Sequence, residues 1–155
     1  MSKKIKISIG IVAVLVLIQF IHPEKNNGIA DGENDITQTV NTSAEVKNIL
    51  QTSCYDCHSN HTEYPWYANI QPVAGWLAHH VDEGKQELNF SEFKTYKLKR
   101  KTHKLKEVVE QLEKAEMPMP SYLWIHKNAV LNQQQKQLLM DWVKQSIVTL
   151  NDTIH

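Results

Sequence analysis

Apolar positions along this chain follow two different rules. Residues 7–21, ISIGIVAVLVLIQFI, form a nearly unbroken apolar run with Ser8 and Gln19 as its clearly polar members. From about residue 41 onward, apolar residues recur every three or four positions, as on one face of a helix. Thr42-x-x-Glu45 resembles a capping box ahead of Val46, Ile49 and Leu50, and that helix leads into Cys54-Tyr55-Asp56-Cys57-His58. Pro72 suits the first turn of a second helix through Val73, Trp76, Leu77, His80 and Val81, with Gly84 placed to end it. Ser91 is placed to cap a short third element containing Phe93 and Tyr96. Thr102 opens a fourth helix, with Leu105, Val108, Val109 and Leu112 on one face. Met117-Pro118-Met119-Pro120 cannot continue it, because proline removes a donor and restricts the residue before it. A last helix starts at Asn132 and presents Leu138, Leu139, Trp142 and Val143. With no alternating strand run and no repeat period, the expected fold class is all-α.

The first apolar run stands behind Lys3, Lys4 and Lys6 and ends at His22-Pro23. A basic start followed by an apolar run fits a secretory signal or a short membrane anchor. Phe20, Ile21 and His22 are bulky, so no small-residue cleavage site follows, and a retained transmembrane signal-anchor over residues 1–23 is the expectation. The lysines would hold the N-terminus in the cytoplasm and send the rest outward, to the periplasmic (extracytoplasmic) side. A cleaved, soluble periplasmic form is the alternative. Residues 24–40 are rich in Asn, Asp, Glu and Gly and read as a flexible linker. The folded domain is then expected over residues 41–148, with 149–155 as a tail.

Composition narrows the chemistry. At 155 residues the chain holds one domain plus an accessory segment, and 17 Lys+Arg balance 17 Asp+Glu. A zero net charge argues against a nucleic-acid binder that relies on a basic field. The sum hides a local bias. Residues 85–106, which include Lys94 and Lys106, carry eight Lys/Arg against Glu87 and Glu92, a net of +6. A solvated face is the default reading of such a run. Docking of a redox partner protein is the functional reading, and anionic lipid headgroups are a third.

Cys54 and Cys57 are the only cysteines, which excludes a multi-bridge disulfide scaffold. In C-x-x-C-H, one helical turn puts both sulfurs on one side, placed to form thioethers to the two vinyl groups of a haem. His58 follows as the proximal iron ligand. A thioredoxin-like pair expects a βαβ setting, and a zinc site expects four ligands that His61 and other histidines complete only awkwardly. A simple disulfide is the remaining competitor. With 8 histidines in 155 residues, His would follow a C-x-x-C by chance about once in twenty. The reading is one covalently attached haem c with its iron.

A distal ligand decides between electron transfer and ligand chemistry. Met117 and Met119 each precede a proline in an extended loop, a setting suited to deliver a thioether to iron. Histidines His61, His79, His80, His103 and His126 are the other donors, and His126 shares the loop with the methionines. Trp66, Tyr67, Trp76, Leu77, Trp124 and Trp142 are candidate crevice or core residues, and Pro65 or Pro72 a candidate source of a carbonyl for His58 Nδ1.

Here the chain resembles a bacterial haem-binding domain family related to c-type cytochromes. The likeness covers roughly residues 45–145 and rests on Cys54/Cys57/His58, Tyr64-Pro65-Trp66-Tyr67, Asn89-Phe90-Ser91-Glu92 and Met117-Pro118…Tyr122…His126. It implies a cytochrome c-like helical domain in which the first and last helices cross, with Leu50, Leu139 and Trp142 at the contact. In the family pattern the first Met-Pro pair recurs, which makes Met117 the implied ligand over Met119, while His126 keeps a place near the haem. A membrane-tethered monohaem electron-transfer module follows as the leading reading, with a haem-based sensor of small ligands as its alternative. A non-haem interaction domain held by a disulfide is the third. No nucleophile elbow, paired-carboxylate motif or phosphate loop is present, so an independent enzyme is not expected.

Overall fold

In a computed structural model, which describes residues 2–152, the regular elements are all helices. Helix α1 spans Lys3–Ile18, α2 Ala44–Ser53, α3 Tyr55–His58, α4 Val73–Glu87, α5 Leu98–Glu113, α6 Pro120–Leu123 and α7 Gln133–Asp152. Four short 3₁₀ turns join them, at Ile36–Gln38, Trp66–Asn69, Phe90–Thr95 and Lys127–Ala129.

The core lies between α2, α5 and α7. Leu105 and Leu112 of α5 meet Leu139 and Val143 of α7, and Val46, Ile49 and Leu50 of α2 close the third side. The spacing of three and four in α5 thus describes its buried face. Asn132 and Gln135 form a reciprocal capping box at the start of α7: Gln135 N donates to Asn132 Oδ1 at 2.8 Å, and Asn132 N donates to Gln135 Oε1 at 3.0 Å. Trp142 Nε1 donates to the Asn41 carbonyl at 3.0 Å, which ties α7 to the approach to α2.

Several boundaries shift from the sequence reading. Ser43, not Thr42, caps α2, accepting from Val46 N. Asn89, not Ser91, caps the turn at Phe90–Thr95. Helix α5 begins at Leu98, four residues before Thr102, because the Lys/Arg-rich start is itself a good helix former. Helix α4 runs through Gly84 to Glu87. Residues 149–152 continue α7, with Leu150 buried, and residues 153–155 of the expected tail lie outside the described residues.

The expected membrane helix needs correction. Residues Lys3–Ile18 do form a helix, and none of its side chains is buried, but no described helix is long and apolar enough to cross a membrane. Its 16 residues span about 24 Å at 1.5 Å each, short of the roughly 30 Å of a hydrocarbon core. Gln19 and Gln71 stitch its end to the loop before α4: Gln71 N donates to Gln19 Oε1, and Gln19 Nε2 to the Gln71 carbonyl.

Residues 24–40 also differ from the flexible linker their composition suggests. Asp35 and Ile36 are fully buried, and Val40 nearly so. Lys94 N donates to the Asn34 carbonyl, and Asn27 pairs with His61 in an isolated antiparallel bridge. Few apolar residues suffice here because the polar ones bond to the domain. Asn26 donates to the Ser59 carbonyl and Thr62 Oγ1, while Lys85 Nζ donates to Asn26 Oδ1. Ile36→Ala should therefore destabilise the protein by about 2–5 kcal/mol in urea unfolding. A loss below about 0.5 kcal/mol would restore the linker reading.

Candidate haem crevice

Cys54 ends α2 and begins α3, and its carbonyl accepts from Cys57 N at 3.2 Å and His58 N at 3.0 Å. That single turn brings the two sulfurs and the imidazole together, as their spacing suggests. Both cysteines are free thiols. Burial pushes Cys54 up to about 12, helped by Cys57, and pushes Cys57 up to about 11, helped by Asp56. Each therefore carries its proton at neutral pH.

His58 is held from behind. Its Nδ1 lies 2.9 Å from the Leu88 carbonyl, and since a carbonyl only accepts, Nδ1 carries the hydrogen and Nε2 keeps its lone pair. Burial pulls the imidazole below its ordinary range, against the opposing pull of the Leu88 and Gly84 carbonyls, so the ring is neutral at neutral pH. The acceptor is thus Leu88 at the end of α4, not Pro65 or Pro72. The ring's edge meets Phe90 at 6.2 Å, Phe90 stacks on Tyr55 at 5.6 Å, and Tyr55 donates to buried Asp35 at 2.8 Å.

Two features whose role the sequence did not show place that carbonyl. The first is Gly84. A Cβ there would stand 2.5 Å from the Cys57 carbonyl oxygen, so only glycine lets α4 approach α3 this closely. The second is a polar knot after Leu88: Asn89 Nδ2 donates to Asn60 Oδ1, Asn60 N to Ser91 Oγ, and Asn60 Nδ2 to Glu92 Oε1. Asn89-Phe90-Ser91-Glu92 was visible as a motif, but its partner Asn60 was not.

Facing His58, a cavity of about 370 Å³ opens between α2, α5 and α7, lined by apolar Leu50, Leu88, Phe90, Val108, Leu112 and Leu139 together with Cys54, His58, Met117 and Pro118. A neighbouring lobe of about 460 Å³ shares Cys54, His58, Met117 and Pro118 and adds Cys57, His80, Gly84, Met119 and Tyr122. Met117 lines both lobes and Met119 one. At the rim, Lys104 bridges Glu87 and Glu107, at 2.7 Å to each. These contacts hold Glu87 below and Lys104 above their ordinary ranges.

Most other candidates lie elsewhere. His126 lines neither lobe. It stacks on Tyr122 at 3.9 Å, with Nδ1 3.1 Å from the Tyr122 carbonyl. His61 pairs with Glu63, while His79 and His103 pair with the rim carboxylates Glu83 and Glu107 without lining the crevice themselves; His80 reaches its edge beside Trp76. Trp66 and Trp124 are largely exposed, Trp76 is half-exposed, and Trp142 packs at the core margin. None of these, nor Tyr67 or Leu77, lines the crevice.

The donor set fits a haem. An apolar slot holds two protonated thiols one turn apart, an imidazole with a free Nε2, and a thioether from another segment. These features define a haem-binding helical domain. The model of the family described as "Haem-binding domain" matches residues 13–145, and the chain belongs to that family. No curated protein and no solved structure gives a match.

The Gly84 contact yields a sign reversal. Glycine-to-alanine within a helix ordinarily stabilises by about 0.5–1 kcal/mol. Here Gly84→Ala should destabilise by about 1–3 kcal/mol, because the new methyl meets backbone that cannot rotate away. Thermal unfolding of the two proteins measures the sign, and a stabilised variant would contradict this packing.

Proposed function

We propose that the chain is a monohaem c-type electron carrier, with Cys54 and Cys57 as covalent anchors, His58 as proximal ligand and Met117 as distal ligand. The observation that carries this reading is the convergence of two protonated thiols, an oriented imidazole and a thioether on one apolar crevice. When bound, haem supplies a one-electron Fe(III)/Fe(II) couple. The thiols of Cys54 and Cys57 would each add S–H across one vinyl C=C. A sulfur–carbon bond would form at the vinyl carbon next to the ring, with the thiol hydrogen going to the terminal carbon.

The other side chains have supporting tasks. His58, donating through Nδ1 to Leu88, is held in one tautomer and is a better donor for it. Leu50, Leu88, Phe90, Leu112 and Leu139 would shield a bound haem from water, and solvent exposure is one of the terms that set its potential. A soft methionine donor favours the reduced metal and raises the potential.

Partner and setting follow from the same reading. The exposed Lys94, Lys97, Lys99 and Lys106, at and just before α5, suit an acidic redox protein. The apolar run behind Lys3, Lys4 and Lys6 is built like an export segment, which fits an extracytoplasmic, periplasmic location.

Intact mass after denaturation tests the covalent part. Protein from cells able to attach haem should carry one haem, and Cys54→Ala with Cys57→Ala should carry none. The reduced haemochrome spectrum checks the same point. In the holoprotein, Met117→Ala should abolish the thioether charge-transfer band, whereas Met119→Ala should leave it. A wild-type haem that is five-coordinate in both oxidation states and binds CO at once would instead favour a small-ligand sensor.

A further inference from the structure

Met117 sits on a segment that does little to hold itself. It is 39% exposed, and Pro118 and Pro120 contribute no N–H to any ladder. Upstream, the segment is tied through backbone. Ala115 adopts φ 55°, turning the chain out of α5, and Glu116 N and Met117 N both reach the Gln111 carbonyl, at 3.0 and 3.4 Å. Downstream, Pro120 opens α6, and Tyr122 N and Leu123 N return to the Met119 carbonyl.

The downstream tie reaches across the crevice. Tyr122 Oη donates to Asp56 Oδ2 at 2.6 Å, and Asp56 lies between Cys54 and Cys57 on α3. Asp56 is itself fixed, since its Oδ1 accepts from Glu63 N at 3.0 Å and its carbonyl accepts from Thr62 Oγ1 at 2.6 Å. The Tyr122 ring forms part of the lobe wall and is backed by His126, nearly parallel at 10°.

We propose that the Tyr122–Asp56 hydrogen bond is a clasp that fastens residues 117–120 to the helix bearing Cys54, Cys57 and His58. Tyr122 and Asp56 are then positioning residues for the distal thioether, and His126 supports the clasp by bracing the ring. The inference rests on the reading of Met117 as distal ligand. It accounts for the place of His126 next to the crevice without contact with it. Burial and the Asp56 carboxylate both raise the Tyr122 phenol, so it stays a donor at neutral pH.

Holoprotein variants test the clasp. Tyr122→Phe keeps the ring and its stack on His126 but removes the donated hydrogen. Asp56→Ala removes the acceptor, and Asp56→Asn keeps an acceptor oxygen. With covalent haem content and circular dichroism unchanged, Tyr122→Phe should bind CO in the reduced state about tenfold faster or more, and its thioether band should weaken. Asp56→Ala should match it, the double variant should add little, and Asp56→Asn should recover much of the wild-type behaviour. Should Tyr122→Phe fail to fold, the Asp56→Ala and Asp56→Asn pair decides alone. Wild-type band and CO rate in both Tyr122→Phe and Asp56→Ala, where Met117→Ala does lose the band, would overturn the clasp alone. An unchanged band in Met117→Ala would overturn the ligand reading and the clasp together.

Discussion

The arrangement depends on the hydrogen bond between His58 Nδ1 and the Leu88 carbonyl, and on what is needed to keep that carbonyl in place. At 2.9 Å the contact tolerates little drift between the end of α4 and the single turn of α3. Gly84 permits the close approach of the two backbones, and the capped turn at Phe90–Thr95 stops the chain from swinging away. Asp35, Tyr55 and Phe90 then fill the space behind the ring. Remove the carbonyl and these side chains would support nothing.

This support is polar as well as apolar, and it is complete. Asp35, Ser59, Thr62, Asn89 and Ser91 are all buried, yet no buried side-chain nitrogen or oxygen among the described residues lacks a partner. A buried network of this kind has few alternative geometries, since displacing one member strands another in a medium that cannot solvate it. The imidazole is therefore located by a lattice of hydrogen bonds, and the slot in front of it by aliphatic packing.

What could be read from residues alone divides by range. Cys54, Cys57 and His58 were legible because one helical turn fixes their relation locally. The Asn132/Gln135 cap and the buried face of α5 were legible for the same reason. The carbonyl behind His58 was not, because Leu88 lies 30 residues away and a backbone acceptor leaves no trace in side-chain chemistry. Nor was the packing of residues 24–40, where three buried side chains and a set of polar contacts outweigh a composition that suggests disorder. Apolar character misled in the other direction. Trp66 and Trp124 are exposed, and the run behind the lysines makes a helix too short to span a bilayer. Of the basic stretch, the charge of Lys104 is largely spent on Glu87 and Glu107, which a sum over residues does not register.

The bond between Trp142 and the Asn41 carbonyl joins positions 101 residues apart, and Ile36 shares one core with Leu139 and Leu150. A chain made from its N-terminus thus exposes Ile36, Val46 and Leu50 until Leu139 and Leu150 are available to cover them. Closure is a late, long-range event, and the crevice acquires its Leu139 wall only at that stage. The motif with both thiols is complete some eighty residues before the wall that shelters it. During that interval the thiols and imidazole are open to solvent, and after it they are reached only through the mouth of a finished domain.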